Sequence, residues 1–219
     1  MNRWNIQSFR QTGMLHRQDN LCCQDAIASA RKENIRAIAL ADGIGSNNNA
    51  YTGAKLAAER AAQLLTEYFH EWMEMDKSEA QMELMIRIRE PLFRFCRSHG
   101  CKVKELGSTL LAAAVSERQF LLLHLGDGYL MGEYTEGWGV LSYPENGIRS
   151  NETVLTTSRP AAKYLRISRG NISDLQSICL CSDGWNGGIS ALEQIHNAIA
   201  VKSAENHADD VSVIMMKKQ

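Results

Sequence analysis

Proline is scarce here, with 3 in 219 residues, and alongside 44% apolar and 22% charged residues this is the composition of an ordered globular chain. No Pro/Ser-rich linker, low-complexity tract or internal repeat is present. Charge of neither sign predominates: 24 Lys and Arg face 25 Asp and Glu. Without a basic excess or stripe there is no electrostatic case for nucleic acid or an anionic membrane as partner. No run approaches the ~18 apolar residues needed to cross a bilayer. The opening MNRWNIQSFRQTG lacks the apolar segment of a secretion signal. The expectation is a cytoplasmic protein whose six cysteines are reduced thiols. Their spacing excludes paired zinc knuckles: Cys22 and Cys23 adjoin, Cys96 and Cys101 are separated by four residues, and Cys179 and Cys181 alternate. Small buried hydrophobes are the expected role for them.

What is present has two textures. From Ala50 to Trp72 the positions Ala50, Ala54, Ala57, Ala58, Ala61, Leu65 and Tyr68 recur at helical spacing, predicting one helix with an alanine face packed on something flat. A second helix is expected from about Ser78 to Ser98, with Pro91 as a kink or break. After Gly107 come short apolar runs (STLLAAAV, QFLLLHLG, YLMGEY, GVLSY) separated by turn residues, the pattern of antiparallel strands. Asp127-Gly128 reads as a hairpin turn between two of them. Later strands are expected at Glu152 to Thr157, Ile178 to Cys181 and Val211 to Met216, with a helix at Ala191 to Val201 and a connecting run at Arg166-Ile167. Helices and strands in blocks argue for an α+β fold with a largely antiparallel sheet, in one domain over residues 1–219.

Two apolar runs stop on Asp-Gly: IRAIALADGIG delivers Asp42-Gly43 and SICLCSDGW delivers Asp183-Gly184. Asp25 in CCQDAI, Asp127 in HLGDGYL and Asp209-Asp210 in HADDVSVIMM complete a set placed at the margins of strands. Any one of them can be a turn or a strand start. Gathered at one sheet edge, two carboxylates near 4 Å repel by roughly 4 kcal/mol at an effective dielectric of about 20. Such a cluster needs protons or hard divalent cations, Mg²⁺ or Mn²⁺, as no soft ligand set accompanies it.

The ordered series QDA (24–26), ADGIG (41–45), GSTLLAA (107–113), LGDGY (125–129), CSDGW (181–185) and ADDVSVI (208–214) resembles the motifs of the metal-dependent PP2C-type protein serine/threonine phosphatases across almost the whole chain. The opening GMLHRQDNLCCQDA resembles a bacterial branch of that family. The resemblance implies a central β-sandwich flanked by helix pairs (α-β-β-α), with two Mn²⁺ or Mg²⁺ ions at one end. It implies that Asp42 bridges both ions and the Gly43 carbonyl binds one. Asp25 would contact the shell of the first, Asp183 and Asp209 would hold the other, and Asp127 with Asp183 matches the position of a third, looser ion. Thr109 matches a buried structural position. The implied reaction is attack of a metal-activated water on a phosphoserine or phosphothreonine ester, with Asp42 and Asp183 catalytic through that water. The implied partner is a phosphorylated protein or its cognate kinase.

The chain departs from the pattern in two places. Many members carry an arginine a few residues before the first metal-binding acid, where it grips the phosphate. Here His16 and Arg17 lie farther upstream, and either is a candidate for that role. Between GVLSY and SICLCSDGW little sequence is left for a mobile flap, so the flap is expected to be short or absent and the site open. His207 is expected to be a solvated loop residue, and His124 to lie on a strand. A catalytically silent phosphoprotein-binding module and a small-phosphoester hydrolase on the same scaffold are the alternatives. Retention of Asp42, Asp183 and Asp209 weighs against the silent one.

Overall fold

The computed structural model describes residues 4–44, 49–144, 153–186 and 188–219. The chain opens with β1 (Trp4–Gln11), a short helix α1 (Met14–Gln18), β2 (Asp25–Lys32) and β3 (Ile35–Asp42). Three helices follow: α2 (Ala50–Glu67), α3 (Phe69–Glu74) and α4 (Lys77–His99). A 3-10 turn (Val103–Leu106) leads into β4 (Leu110–Val115), β5 (Gln119–Leu125), β6 (Tyr129–Tyr134) and β7 (Gly137–Ser142). The remainder comprises α5 (Ala161–Tyr164), β8 (Arg166–Asn171), β9 (Leu175–Cys181), α6 (Leu192–Val201) and β10 (Val211–Lys218).

The strands make two antiparallel five-stranded sheets, in the orders β1-β10-β9-β6-β7 and β2-β3-β4-β5-β8. The period of two along β3 shows how they stack. Ile38 and Leu40 point into the space between the sheets with Leu111, Leu122, Leu130, Ile178, Leu180 and Ile214. Ala37, Ala39 and Ala41 point the other way, toward α2 and α4. Each large side chain buried there contributes roughly 1.5–3 kcal/mol. On the outer face, alanine meets alanine: Ala54, Ala57, Ala58 and Ala61 of α2 are fully buried on the same layer as Ala112 and Ala114. Small side chains on both surfaces let the helix lie close to the sheet. The other sheet is covered by α6, whose Leu192, Ile195 and Ile199 pack with Phe9, Trp185, Val211 and Val213.

Several expectations are corrected. The segment expected as one helix to Trp72 breaks at Tyr68 (φ −118°), whose ring packs at a tilt against Trp72 at 5.4 Å and lies under the Arg87 guanidinium at 4.1 Å. Pro91 does not break α4. Its missing N–H frees the Arg87 carbonyl, which accepts from Arg60 Nε at 3.4 Å, so a neighbouring helix supplies the donor. The cap of α4 is Asp76, whose carboxylate accepts from Ser78 N (2.8 Å) and Glu79 N (3.3 Å). Asp127-Gly128 is not a hairpin turn: β5 and β6 belong to different sheets, and this step carries the chain across the sandwich.

Thr153 to Thr157 form no strand, while Glu152 and the rest of 145–152, one part of the 144–176 stretch on which the flap expectation falls, lie outside the described residues. Arg89 instead ties that turn to α4 through the Thr156 and Ser158 carbonyls. The Arg166-Ile167 run opens β8, which pairs with β5. Among the cysteines, Cys23, Cys179 and Cys181 are buried, but Cys22 is exposed and Cys96 and Cys101 are half-buried. Among the described residues no helix is long and apolar enough to cross a membrane.

Gly53, inside α2, faces the Leu106 carbonyl, and a Cβ there would sit 2.3 Å from its oxygen. Gly53→Ala should therefore destabilise the fold by about 1–3 kcal/mol in urea unfolding. Helix propensity alone would make alanine the better residue by about 1 kcal/mol. An unchanged or raised midpoint would show that this contact is not tight.

Candidate metal centre at one end of the sandwich

The strand ends that converge carry the acidic residues. Asp25 opens β2 and Asp42 closes β3, and the two are direct cross-strand partners. The backbone of Asp42 is gripped from both sides by Thr109: Asp42 N donates to Thr109 Oγ1 (3.0 Å), and Thr109 N donates to the Asp42 carbonyl (2.9 Å). Gly43 comes next, where a Cβ would sit 2.5 Å from the Ala50 carbonyl oxygen, so only glycine lets α2 begin so near. On the facing sheet, Ser182 N donates to the Ser212 carbonyl and Ser212 N to Ser182 Oγ, each at 3.0 Å. That ladder delivers Asp183 into a 3-10 turn (Asp183–Trp185), and Trp185 Nε1 anchors the turn on the Ser212 carbonyl at 3.0 Å.

The carboxylates feel one another. Asp25 is 0% exposed, and neither of its oxygens has a hydrogen-bond partner; Oδ1 of Asp183 is likewise buried and unpaired. Burial pushes the Asp25 carboxyl up to about 7, with Asp210 adding to the shift and the Ser212 and Ser182 hydroxyls opposing it. Burial, then the charges of Asp25, Asp183 and Asp209, push Asp42 well above the carboxylate range. Asp183 rises to about 6 through burial and the charges of Asp127 and Asp209. The structure thus brings Asp25, Asp42, Asp183, Asp209 and Asp127 into one electrostatic cluster. Buried carboxylate oxygens without donors, in an all-oxygen set, fit a hard divalent cation.

Asp209 and Asp210 divide their work. Asp209 is exposed. Asp210 is buried, and its carboxylate accepts from Gly13 N (2.7 Å) and Gln24 N (2.6 Å). It also stands 2.9 Å from His16 Nδ1. Ligand atoms of His16, Asp209 and Asp210 all lie within 4.8 Å of one another. Arg17 is turned away, donating to the Gly13 carbonyl and to Asn206 Oδ1 (3.1 Å). Asp127 accepts from Thr153 Oγ1 at 2.6 Å. His207 is not merely solvated: its Nδ1 lies 3.1 Å from the Gly184 carbonyl, and its ring packs edge-on against Trp185 at 5.2 Å.

The sequence marks Asp210 only as one of an acidic pair, without a role of its own, and does not mark the Ser182–Ser212 pair or Arg10, which reaches from β1 to the Asp25 carbonyl (2.8 Å) and lies over the Tyr51 ring. Strand alternation was the available signal for Asp210, because of two acids before a buried strand one must face inward. Nothing local marks Arg10.

Two outcomes follow. A carboxyl raised by folding stabilises below its unfolded value, about 4, and that contribution is lost as pH rises through its folded value. The metal-free protein should therefore lose thermal stability between about pH 4 and 7, and Mn²⁺ should restore it most at the upper end; a flat profile with EDTA would exclude the coupling. Asp210→Ala should cost about 3 kcal/mol or more, since two buried N–H donors lose a charged acceptor. Asp209→Ala should leave the metal-free protein as stable as before; urea unfolding with EDTA separates the two.

The family model described as protein phosphatase 2C matches residues 12–215. No curated protein matches in sequence. Among solved structures, a bacterial serine phosphatase superposes with a TM-score of 0.69 at 14% identity, over 99% of this chain and 98% of that one. The serine/threonine phosphatase Stp1 from Staphylococcus aureus gives 0.66 at 13% identity, over 99% and 96%. PstP/Ppp of Mycobacterium tuberculosis gives 0.67 at 12%, over 99% of both chains. At these identities the likeness is one of fold.

Proposed function

Because the chain belongs to the protein phosphatase 2C family, we propose that it hydrolyses phosphoserine and phosphothreonine esters in proteins, using divalent ions held at the end of the sandwich. The observation that carries this reading is the convergence of Asp25, Asp42 and Asp183, in which both Asp25 oxygens and Asp183 Oδ1 are buried and without a hydrogen-bond partner. Asp42 and the Gly43 carbonyl, with Asp25 behind them, would hold one Mn²⁺ or Mg²⁺ ion; Asp183 and Asp209, with Asp42 shared, would hold the second. Asp127 with Asp183 is the place for a third. Bound there, such ions supply Lewis acidity and deprotonation of water near neutral pH.

The chain's own residues do the rest. The Asp42 main chain is fixed at the rim, because Thr109 holds it at both N and O. Asp183 is aimed by a 3-10 turn pinned through Trp185. His16, steadied beside Asp210, or Arg17, one residue on, is the group for the substrate phosphate. Arg17 would have to leave Asn206 to reach it. The substrate class is a phosphorylated protein or the kinase acting on it, in the cytoplasm, met by a single phosphatase domain.

Hydrolysis of a phosphothreonine peptide should need Mn²⁺ and stop with EDTA. Asp183→Asn should lower turnover by about 10²-fold or more without unfolding the protein. A folded wild type that binds Mn²⁺ yet leaves phosphopeptides and small phosphoesters intact would point instead to a silent phosphoprotein-binding module.

A further inference from the structure

We propose that Cys96 and Cys101 form a reversible disulfide site, a redox staple across the end of α4 that takes its oxidising equivalents from a small-molecule disulfide. The helix itself makes the pair. Gly100, at φ +69°, ends α4 in the left-handed conformation, and its N–H donates to the Cys96 carbonyl at 2.9 Å. The chain doubles back over the last turn, and the Cys101 thiol comes to rest 3.2 Å from Cys96 Sγ, donating to it. Both side chains are half-buried. Closing a disulfide at about 2.05 Å asks for a shift of about 1 Å.

The other cysteines do not compete for this chemistry. Cys23, Cys179 and Cys181 are buried, and burial raises all three thiols. Cys22 is exposed beside the buried Cys23.

The exchange balances. The Cys101 thiolate attacks one sulfur of the small disulfide and expels a thiolate that takes up the proton Cys101 lost. Cys96, deprotonating as it reacts, then attacks Cys101 Sγ in the mixed disulfide and expels the second small thiol. Two protein thiols are oxidised and one small disulfide is reduced to two thiols. Burial and the neighbouring Cys101 hold the Cys96 thiol up at about 11, which makes it the resolving partner.

The staple sits on a segment that reaches the metal centre. One residue beyond Cys101, the Lys102 carbonyl accepts from Glu105 N at 2.9 Å. Glu105 Oε2 accepts from Asn49 Nδ2 at 3.2 Å, just before α2. Gly107 O accepts from Ile44 N at 3.1 Å, and Thr109 grips Asp42. Oxidation therefore ties the end of α4 to the strap that holds Asp42 and Gly43.

The test equilibrates the folded protein, carrying Cys22→Ser, with oxidised and reduced glutathione and quenches it with alkylating reagent. Trypsin should release Phe95–Arg97 joined to Ser98–Lys102, lighter by two hydrogen atoms, in the oxidised sample only. Dithiothreitol should abolish the joined peptide, and Cys101→Ser should never form it. Hydrogen exchange at the Glu105 and Gly107 amides should slow several-fold in the oxidised protein and stay unchanged in the variant. Absence of the joined peptide, its formation only in guanidinium, or its formation with unaltered exchange at both amides would each overturn the proposal. None of these readouts depends on phosphatase activity.

Discussion

Repulsion among carboxylates at one rim of the sandwich is the constraint on which the rest of this structure depends. Asp25, Asp183 and Asp209 each raise the proton affinity of Asp42, Asp127 and Asp209 raise that of Asp183, and Asp25 has no solvent to relieve it. Left to themselves these groups would move apart, since each close pair costs several kcal/mol in a medium of moderate dielectric. They stay because their backbones are fixed by bonds the charges do not control: Thr109 on Asp42, and the Ser182–Ser212 ladder beneath Asp183. The folded protein thus carries an unfavourable arrangement ready made, and an arriving cation need not reorganise it.

Asp210 adds its charge to this rim but is held there by donors of its own. It is nearly as buried as Asp25 but partnered, accepting from Gly13 and Gln24 and facing His16. Through those contacts it draws the turn before α1, the start of β2 and the start of β10 to one point. Adjacent acids therefore serve opposite ends, one as charge offered outward and the other as a structural acceptor. Asn in place of Asp210 could accept only one of the two amides equally well, as half its side-chain head is a donor.

Close approach is the second theme. α2 lies near its sheet because alanines face alanines, and Gly43 and Gly53 remove the Cβ atoms that would strike Ala50 and Leu106. This closeness brings the start of α2 to the same rim as Asp42, and lets the segment after α4 hold Ile44 through the Gly107 carbonyl and Asn49 through Glu105. A helix held off by larger side chains would leave Asn49 out of reach of Glu105.

By itself the sequence determined what depends on near neighbours. The alanine period marked a helix against a sheet, the alternating runs marked antiparallel strands, and Asp-Gly at two strand ends marked acids leaving the core at Asp42 and Asp183. Tertiary structure alone decided everything that turns on a distant partner. Asp127-Gly128 crosses between sheets although its flanks read as a hairpin, because the pairing of β5 with β8 and of β6 with β9 is set by contacts 41 to 52 residues away. Pro91 sits inside a continuous helix because Arg60 answers the freed carbonyl. Asp209 and Asp210 look alike in the chain and differ in the fold, because a carboxylate's role is fixed by the donors around it, and those of Asp210 come from Gly13 and Gln24, at the far end of the sequence.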